Sequence, residues 1–213
     1  MRLRHKTKLC AAILGGFLSF ASAHADDGLS LPNSPGKTAR LINSADITNI
    51  VSDDDASVGF GSRYMVVFID YGVKGERSQI LSLLQFVKFH PEWKIVIKEL
   101  PLVSQESLDI ALAQAAVVEQ QNELVWREFE GGVLTAKSTL TPAALRSLAE
   151  KTGVDMAKYD DALKSGRALA KIQANRKIAE QVHIDGTPFF VTDNKVMKGM
   201  MNYPALVDYT DAQ

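Results

Sequence analysis

Six consecutive apolar residues, Tyr64-Met65-Val66-Val67-Phe68-Ile69, restrict what this chain can fold into more than any other stretch. A β-branched and aromatic run without alternation suits a strand covered on both faces, at the centre of a sheet layered with helices. The residues around it fit that layering. Asp70 to Gly75 reads as a turn, and from about Glu76 the residues Ile80, Leu83, Leu84 and Val87 recur at helical spacing until His90-Pro91, where proline ends a helix. Lys94 to Leu100, around Ile95-Val96-Ile97, is a second strand, so the unit is a right-handed strand–helix–strand crossover. From Ser104 to about Gln181 the pattern is wholly helical. It is punctuated by Thr141-Pro142 as cap and first turn, Gly153 as a stop, Asp155 as a cap and Ser165-Gly166 as another stop. Strand character returns at Phe189-Phe190-Val191, turns at Thr192 to Lys195, reaches Met197, and gives way to a last helix near Asn202. The order is βαβ, a helical block, then ββα, which makes an α/β domain.

The N-terminus reads as an address rather than as structure. Arg2, Arg4, Lys6 and Lys8 precede an apolar run from Leu9 to Phe20, and small residues follow at Ala21-Ser22-Ala23-His24-Ala25. This is the pattern of a secretory signal peptide over residues 1–25. Twelve residues at helical rise cover only about 18 Å, too short for a ~30 Å hydrocarbon core. Cleavage after Ala23 or Ala25 fits, and the expected location is the periplasm. Cleavage there removes four of the 24 basic residues and none of the 25 acidic ones, giving a net charge of −5. It also removes His5, His24 and the only cysteine, Cys10, leaving His90 and His183. An exporting route permits disulfides, yet such a mature chain forms none. With no cysteine and two histidines, no metal or haem ligand set is expected and no cofactor is assigned. The mild acidity argues against nucleic acid as a partner. Residues 26–60 form an arm with a short helix expected over Thr38 to Val51, where Leu41, Ile42, Ile47, Ile50 and Val51 give an uneven apolar face. Residues 61–213 form the folded domain, with a helical insertion over about 104–172.

Four segments resemble exported members of the DsbA-like family, including its ScsC-like and outer-membrane-antigen branches. Asp53-Asp54-Asp55-Ala56-Ser57-Val58-Gly59 resembles the acidic lead-in to the first strand, and Phe68-Ile69-Asp70-Tyr71 is similar to the Phe-X-Asp-Tyr that precedes the family's redox motif. Glu99-Leu100-Pro101-Leu102, followed by Glu106-Ser107, resembles the entry to the helical insertion. Gly186-Thr187-Pro188-Phe189-Phe190-Val191 looks like the loop with the family's cis-proline. The resemblance implies a thioredoxin-like fold (βαβ + ββα) with an inserted helical subdomain, and thiol–disulfide oxidoreductase or isomerase activity.

At the centre the chain departs from its family. Where the family has Cys-X-X-Cys at a helix start, this sequence has Val73-Lys74-Gly75-Glu76. Thiol–disulfide exchange needs an attacking thiolate and a second thiol to resolve the mixed disulfide. Valine and glutamate supply neither, so no catalytic residue is assigned. Glu76 is expected simply to favour the first turn of the helix by its charge. Thr187 and Pro188 are the peptide-binding candidates, because the backbone beside a cis-proline can pair with an extended chain. The alternative at that position is a proline kept for the turn alone. Tyr71 and Ser78 read as packing rather than as activators of a thiol cofactor, and His183 as a solvated loop residue. Lys98 and Glu99 alternate across the second strand and read as solvated strand-edge charges, the alternative being that one of them points into the core beneath the motif position. Trp126, Phe129 and Leu124 are expected to pack the insertion, and Leu169, Ile172, Ile178 and Val182 to face the sheet. The expected function is a non-catalytic chaperone, adaptor or assembly module, the alternative being the family's redox activity. The expected partners are unfolded or extended polypeptide or an envelope protein, together with homo-oligomerisation through residues 38–51.

Overall fold

A computed structural model describes residues 47–193 and 195–211. The expected signal peptide over 1–25 and most of the expected helix over 38–51 lie outside them. The sheet has five strands in the order β1-β3-β2-β4-β5. They are β1 Ala56–Val58, β2 Arg63–Ile69, β3 Trp93–Glu99, β4 Phe189–Thr192 and β5 Lys195–Lys198. β2 and β3 run parallel, joined by α1 (Lys74–Phe89), and the remaining pairs are antiparallel. Between β3 and β4 come α2 (Gln105–Val118), α3 (Glu123–Thr135), α4 (Pro142–Lys151), α5 (Met156–Lys164) and α6 (Arg167–Gln181), and α7 (Tyr203–Asp211) ends the described chain. This is the thioredoxin-like α/β fold with an inserted helical region that the resemblance implies.

The apolar run of β2 is buried on both faces, as a central strand requires. Met65, Val67 and Ile69 join Ile95, Ile97, Phe190 and the α1 residues Ile80, Leu83 and Phe86 in one core, which continues into the helical block through Ile110, Trp126 and Phe129. The alternate residues Val66 and Phe68 join Val96, Phe189 and Val191 in a second core on the opposite face. Helix starts are capped where the sequence supplies an oxygen acceptor: Ser104, Asn122, Thr141 and Asp155 each accept from a backbone N–H of the first turn.

Four expectations need correction. The folded body reaches back beyond residue 61: β1 pairs with β3, and Ile47 and Ile50 are buried in the second core beside Ala179, Val182 and Ile184. At the described end of the expected helix over 38–51, Ile47 is helical and Thr48–Ile50 form a 3-10 turn. Lys98 is not a solvated edge charge. Its ammonium is 2.7 Å from Asp55 in a buried pair, and Lys171 of α6 lies 2.8 Å from the other Asp55 oxygen. Leu124 and Leu169 are exposed by 79% and 38%, because each sits just inside a helix start and faces away from the core. Trp126, Phe129, Ile172 and Val182 are buried, and Ile178 packs against the second core.

Candidate functional site

The C-terminal end of β2 is organised by Asp70, whose side chain is 1% exposed. One carboxylate oxygen accepts from the Gly72 N–H at 2.8 Å, and the other from the N–H groups of Leu102 (2.8 Å) and Val103 (3.3 Å). The loop after β2 is thereby tied to the loop after β3. Gly72 cannot carry a side chain there, since a Cβ would lie 2.1 Å from Ser107 Oγ and 2.7 Å from its Cα. Val73 then caps α1 in an extended conformation without a side-chain bond. It occupies the position that an attacking cysteine holds in the resemblance, with an aliphatic side chain.

Glu76 lies in the first turn of α1, where its charge is expected to act, but it is more than a local helix-start charge. It is 5% exposed. Its Oε2 accepts from the Asp70 N–H and its Oε1 from the Thr187 hydroxyl, both at 2.9 Å. The carboxylate therefore clasps the end of β2 to the loop before β4. Burial pushes the Glu76 carboxyl above its ordinary value; the bonds from Asp70 N–H and Thr187 act against that rise, and the Asp70 charge adds to it.

The Thr187–Pro188 peptide bond is cis. Thr187 is half-buried and Pro188 buried. The Pro188 carbonyl accepts from the Gly199 N–H at 2.9 Å, whereas neither backbone polar group of Thr187 bonds to another described residue. Val103, in the loop after β3, and Met200, just after β5, are exposed by 63% and 50%. Lys198 of β5 pairs with Asp185 at 2.9 Å.

Behind the loop lies a layer of buried polar groups. The Tyr71 hydroxyl donates to Glu130 Oε1 of α3 at 2.6 Å. Arg77, 4% exposed, donates to the Tyr71 carbonyl at 2.6 Å and the Val133 carbonyl at 3.3 Å, and pairs with Glu106 at 3.3 Å. Glu99 is held well above the usual carboxylate range by burial and by the Asp70 and Glu130 charges. Glu130 is raised by burial against the Tyr71 bond and Arg127. Burial and the Glu130 charge also push the Tyr71 hydroxyl well up. No group of three His, Cys, Asp or Glu residues among those described is arranged to hold a metal.

The fold brings Val73, Lys74, Gly75 and Glu76 together with Thr187 and Pro188. Ser78 is exposed and bonds only to the Gly75 carbonyl, and His183 is an exposed loop residue at φ 58°. Sequence reasoning missed the Glu76–Thr187 bond and the Tyr71–Glu130 and Arg77 links. Apart from the bond from Arg77 to the Tyr71 carbonyl six residues away, the partners lie between 29 and 111 residues apart, and no local pattern connects them.

Compared with known proteins, residues 84–211 match the family model described as a DSBA-like thioredoxin domain. No curated protein matches. Among solved structures, the catalytic domain of Proteus mirabilis ScsC is 19% identical and superposes at a TM-score of 0.69 over 79% of this chain and 94% of that one. The thiol-disulfide exchange protein alpha-DsbA2 from Wolbachia pipientis is 19% identical at TM-score 0.66, covering 79% and 92%. A periplasmic thioredoxin-like protein from Salmonella enterica serovar Typhimurium is 16% identical at TM-score 0.67, covering 81% and 98%. At these identities the likeness is one of fold.

Proposed function

This chain belongs to the family of DSBA-like thioredoxin domains, and from that premise we propose that it is a non-catalytic member that holds extended polypeptide at the Thr187–Pro188 edge. Such a role is that of a chaperone, adaptor or assembly module. The observation that carries the reading is the fate of the motif position. Val73 has no nucleophile, and both Glu76 oxygens are engaged by Asp70 N–H and the Thr187 hydroxyl. Cys10 is the only cysteine in the sequence, and a lone cysteine cannot supply both the attacking and the resolving thiol. The N–H and C=O of Thr187, bonded to no other described residue, can supply the main-chain pairing that strand addition needs. The exposed Met200, next to the Gly199 that bonds the Pro188 carbonyl, supplies apolar contact. Export to the periplasm belongs to the same proposal. It is supported by the basic, apolar and small-residue order of residues 1–25 and by the periplasmic description of the Salmonella neighbour.

The deciding experiment pairs a redox assay with a binding map. The purified protein is expected to leave insulin disulfides intact at the uncatalysed rate. Titration with a reduced, carboxymethylated unfolded polypeptide is expected to shift the amide resonances of Thr187, Val73 and Lys74 first. Insulin reduction above background, or an unfolded chain that leaves the Thr187 amide unmoved, overturns the reading.

A further inference from the structure

A recess lies away from the degenerate motif, on the face of the sheet where α6 passes. It encloses about 600 Å³ and its walls are mainly aliphatic, with Ile50, Ile97, Val118, Ile178 and the small side chains of Ala170 and Ala174 among them. Ala170 and Ala174 are exposed one turn apart on α6, so the helix backbone can be approached closely there. One polar group in the recess lacks a partner. Asn175 is 4% exposed, its Nδ2 donates to the Glu99 carbonyl at 3.2 Å, and its Oδ1 accepts no hydrogen bond from any described residue. An apolar trough with one unpaired acceptor calls for a covering chain that brings aliphatic side chains and an N–H or O–H donor.

We propose that residues 38–46 of this same chain, which lie outside the described residues, occupy this recess. The inference is independent of polypeptide binding at Thr187. Three observations select this occupant. The described chain begins at the recess itself, since Ile50, Val51 and Ser52 line it and Ile47 is buried beside it. Residues 38–46 read Thr-Ala-Arg-Leu-Ile-Asn-Ser-Ala-Asp. They offer Leu41 and Ile42 for the aliphatic wall and Asn43 and Ser44 as side-chain donors for Asn175. Their reach is also right. Ile42 lies five residues before Ile47, which spans about 17 Å if extended and ~8 Å if helical. The α6 segment along the recess, from Arg167 to Ile178, is ~16 Å long. A segment tethered this closely has an effective local concentration of millimolar order, so a separate partner must compete against it.

Cysteine pairing tests the proposal in the full chain, where Cys10→Ser removes the only native thiol. Asn43→Cys combined with Ala174→Cys is expected to form an intramolecular disulfide in most molecules on mild oxidation at micromolar protein. The control, Asn43→Cys with Lys151→Cys on α4, is expected to yield less than a tenth as much. A predominant disulfide-linked dimer overturns the proposal in favour of arm exchange between copies, and failure to cross-link overturns it outright. A second measurement avoids dependence on disulfide geometry. The Ala174→Cys thiol should react with a bulky maleimide at least tenfold faster when Leu41→Asp and Ile42→Asp are added. Equal rates overturn the proposal.

Discussion

Glu76 holds a carboxylate where solvent is nearly excluded, and its two partners explain how it is tolerated. A buried acceptor that keeps its hydrogen bonds costs far less than one left bare. Glu76→Gln preserves an acceptor for Asp70 N–H and offers an amide donor toward the Thr187 oxygen, so its unfolding free energy at pH 7 is expected to stay within about 1 kcal/mol of the parent. Glu76→Ala strands a buried N–H and a hydroxyl and is expected to lose about 1–3 kcal/mol. Urea titration of the two variants checks the contrast. The sign with pH follows from burial. Because the folded protein holds the Glu76 proton to higher pH than the unfolded chain does, stability associated with it is fully present below the ordinary value of 4.5 and declines as pH rises through the folded value. Glu76→Gln removes that share of the slope. Position 73 offers a different test. Val73→Cys with Glu76→Cys puts a thiol at the start of α1, where the helix terminus favours the thiolate. Its pKa from the pH dependence of alkylation is expected to fall below the ~8.5 of free cysteine, and an unshifted value means that the helix start does not act on it.

At the level of elements, the loop between β2 and α1 is where the sheet and the helical block are fastened. Gly72 allows α2 to begin against that loop, and a methyl group there collides with the backbone as well as the side chain of Ser107. Gly72→Ala is therefore expected to cost about 1–3 kcal/mol, as overpacking does. Truncating Ser107 to alanine should restore only a fraction, since its Cα also lies within 2.7 Å of the added carbon. Thermal denaturation of the single and double variants measures both. The elements themselves were legible in the chain: the Tyr64–Ile69 run announced the central strand, His90-Pro91 the end of α1, and Thr141-Pro142 and Asp155 two helix starts. What connects the elements was not. Lys98 and Glu76 carry ordinary surface side chains, and only the approach of Asp55 from β1's lead-in and Thr187 from β4's makes them interior. β1 itself, three residues long, is too short for an alternation to register. The candidate edge at Thr187 and Pro188 could be read because proline there resembled a family loop, whereas its clasp to Glu76 is a tertiary fact.

Across the whole molecule, three buried or nearly buried carboxylates, Glu76, Glu99 and Glu130, are all displaced upward by burial. Each favours the folded state more as it gains its proton, so their effects add in sign. The Tm is expected to be higher near pH 5.5 than near pH 7.5, and calorimetry at the two values decides it; a flat or opposite trend means that these groups ionise freely in the fold. Asp54, whose carboxyl is lowered chiefly by the Ser52 bond, acts in the reverse sense only at more acid pH.

The pairing of β2 has a consequence for the order in which the chain can mature. β3 covers one edge of β2 after a single helix, but the other edge waits for Phe189, Phe190 and Val191, which follow the entire helical block. A nascent chain thus carries an open edge on its most apolar strand until the residues beyond the helical block are made. Open apolar edges are templates for pairing with other chains, and late long-range strand closure prolongs that exposure. Ending translation after Gln181 is accordingly expected to give aggregates rather than a soluble four-fifths of the fold, as sedimentation of the truncated product can show. The last strand pair works as a closing seam, and the sheet's interior is safe from its neighbours only once that seam is shut.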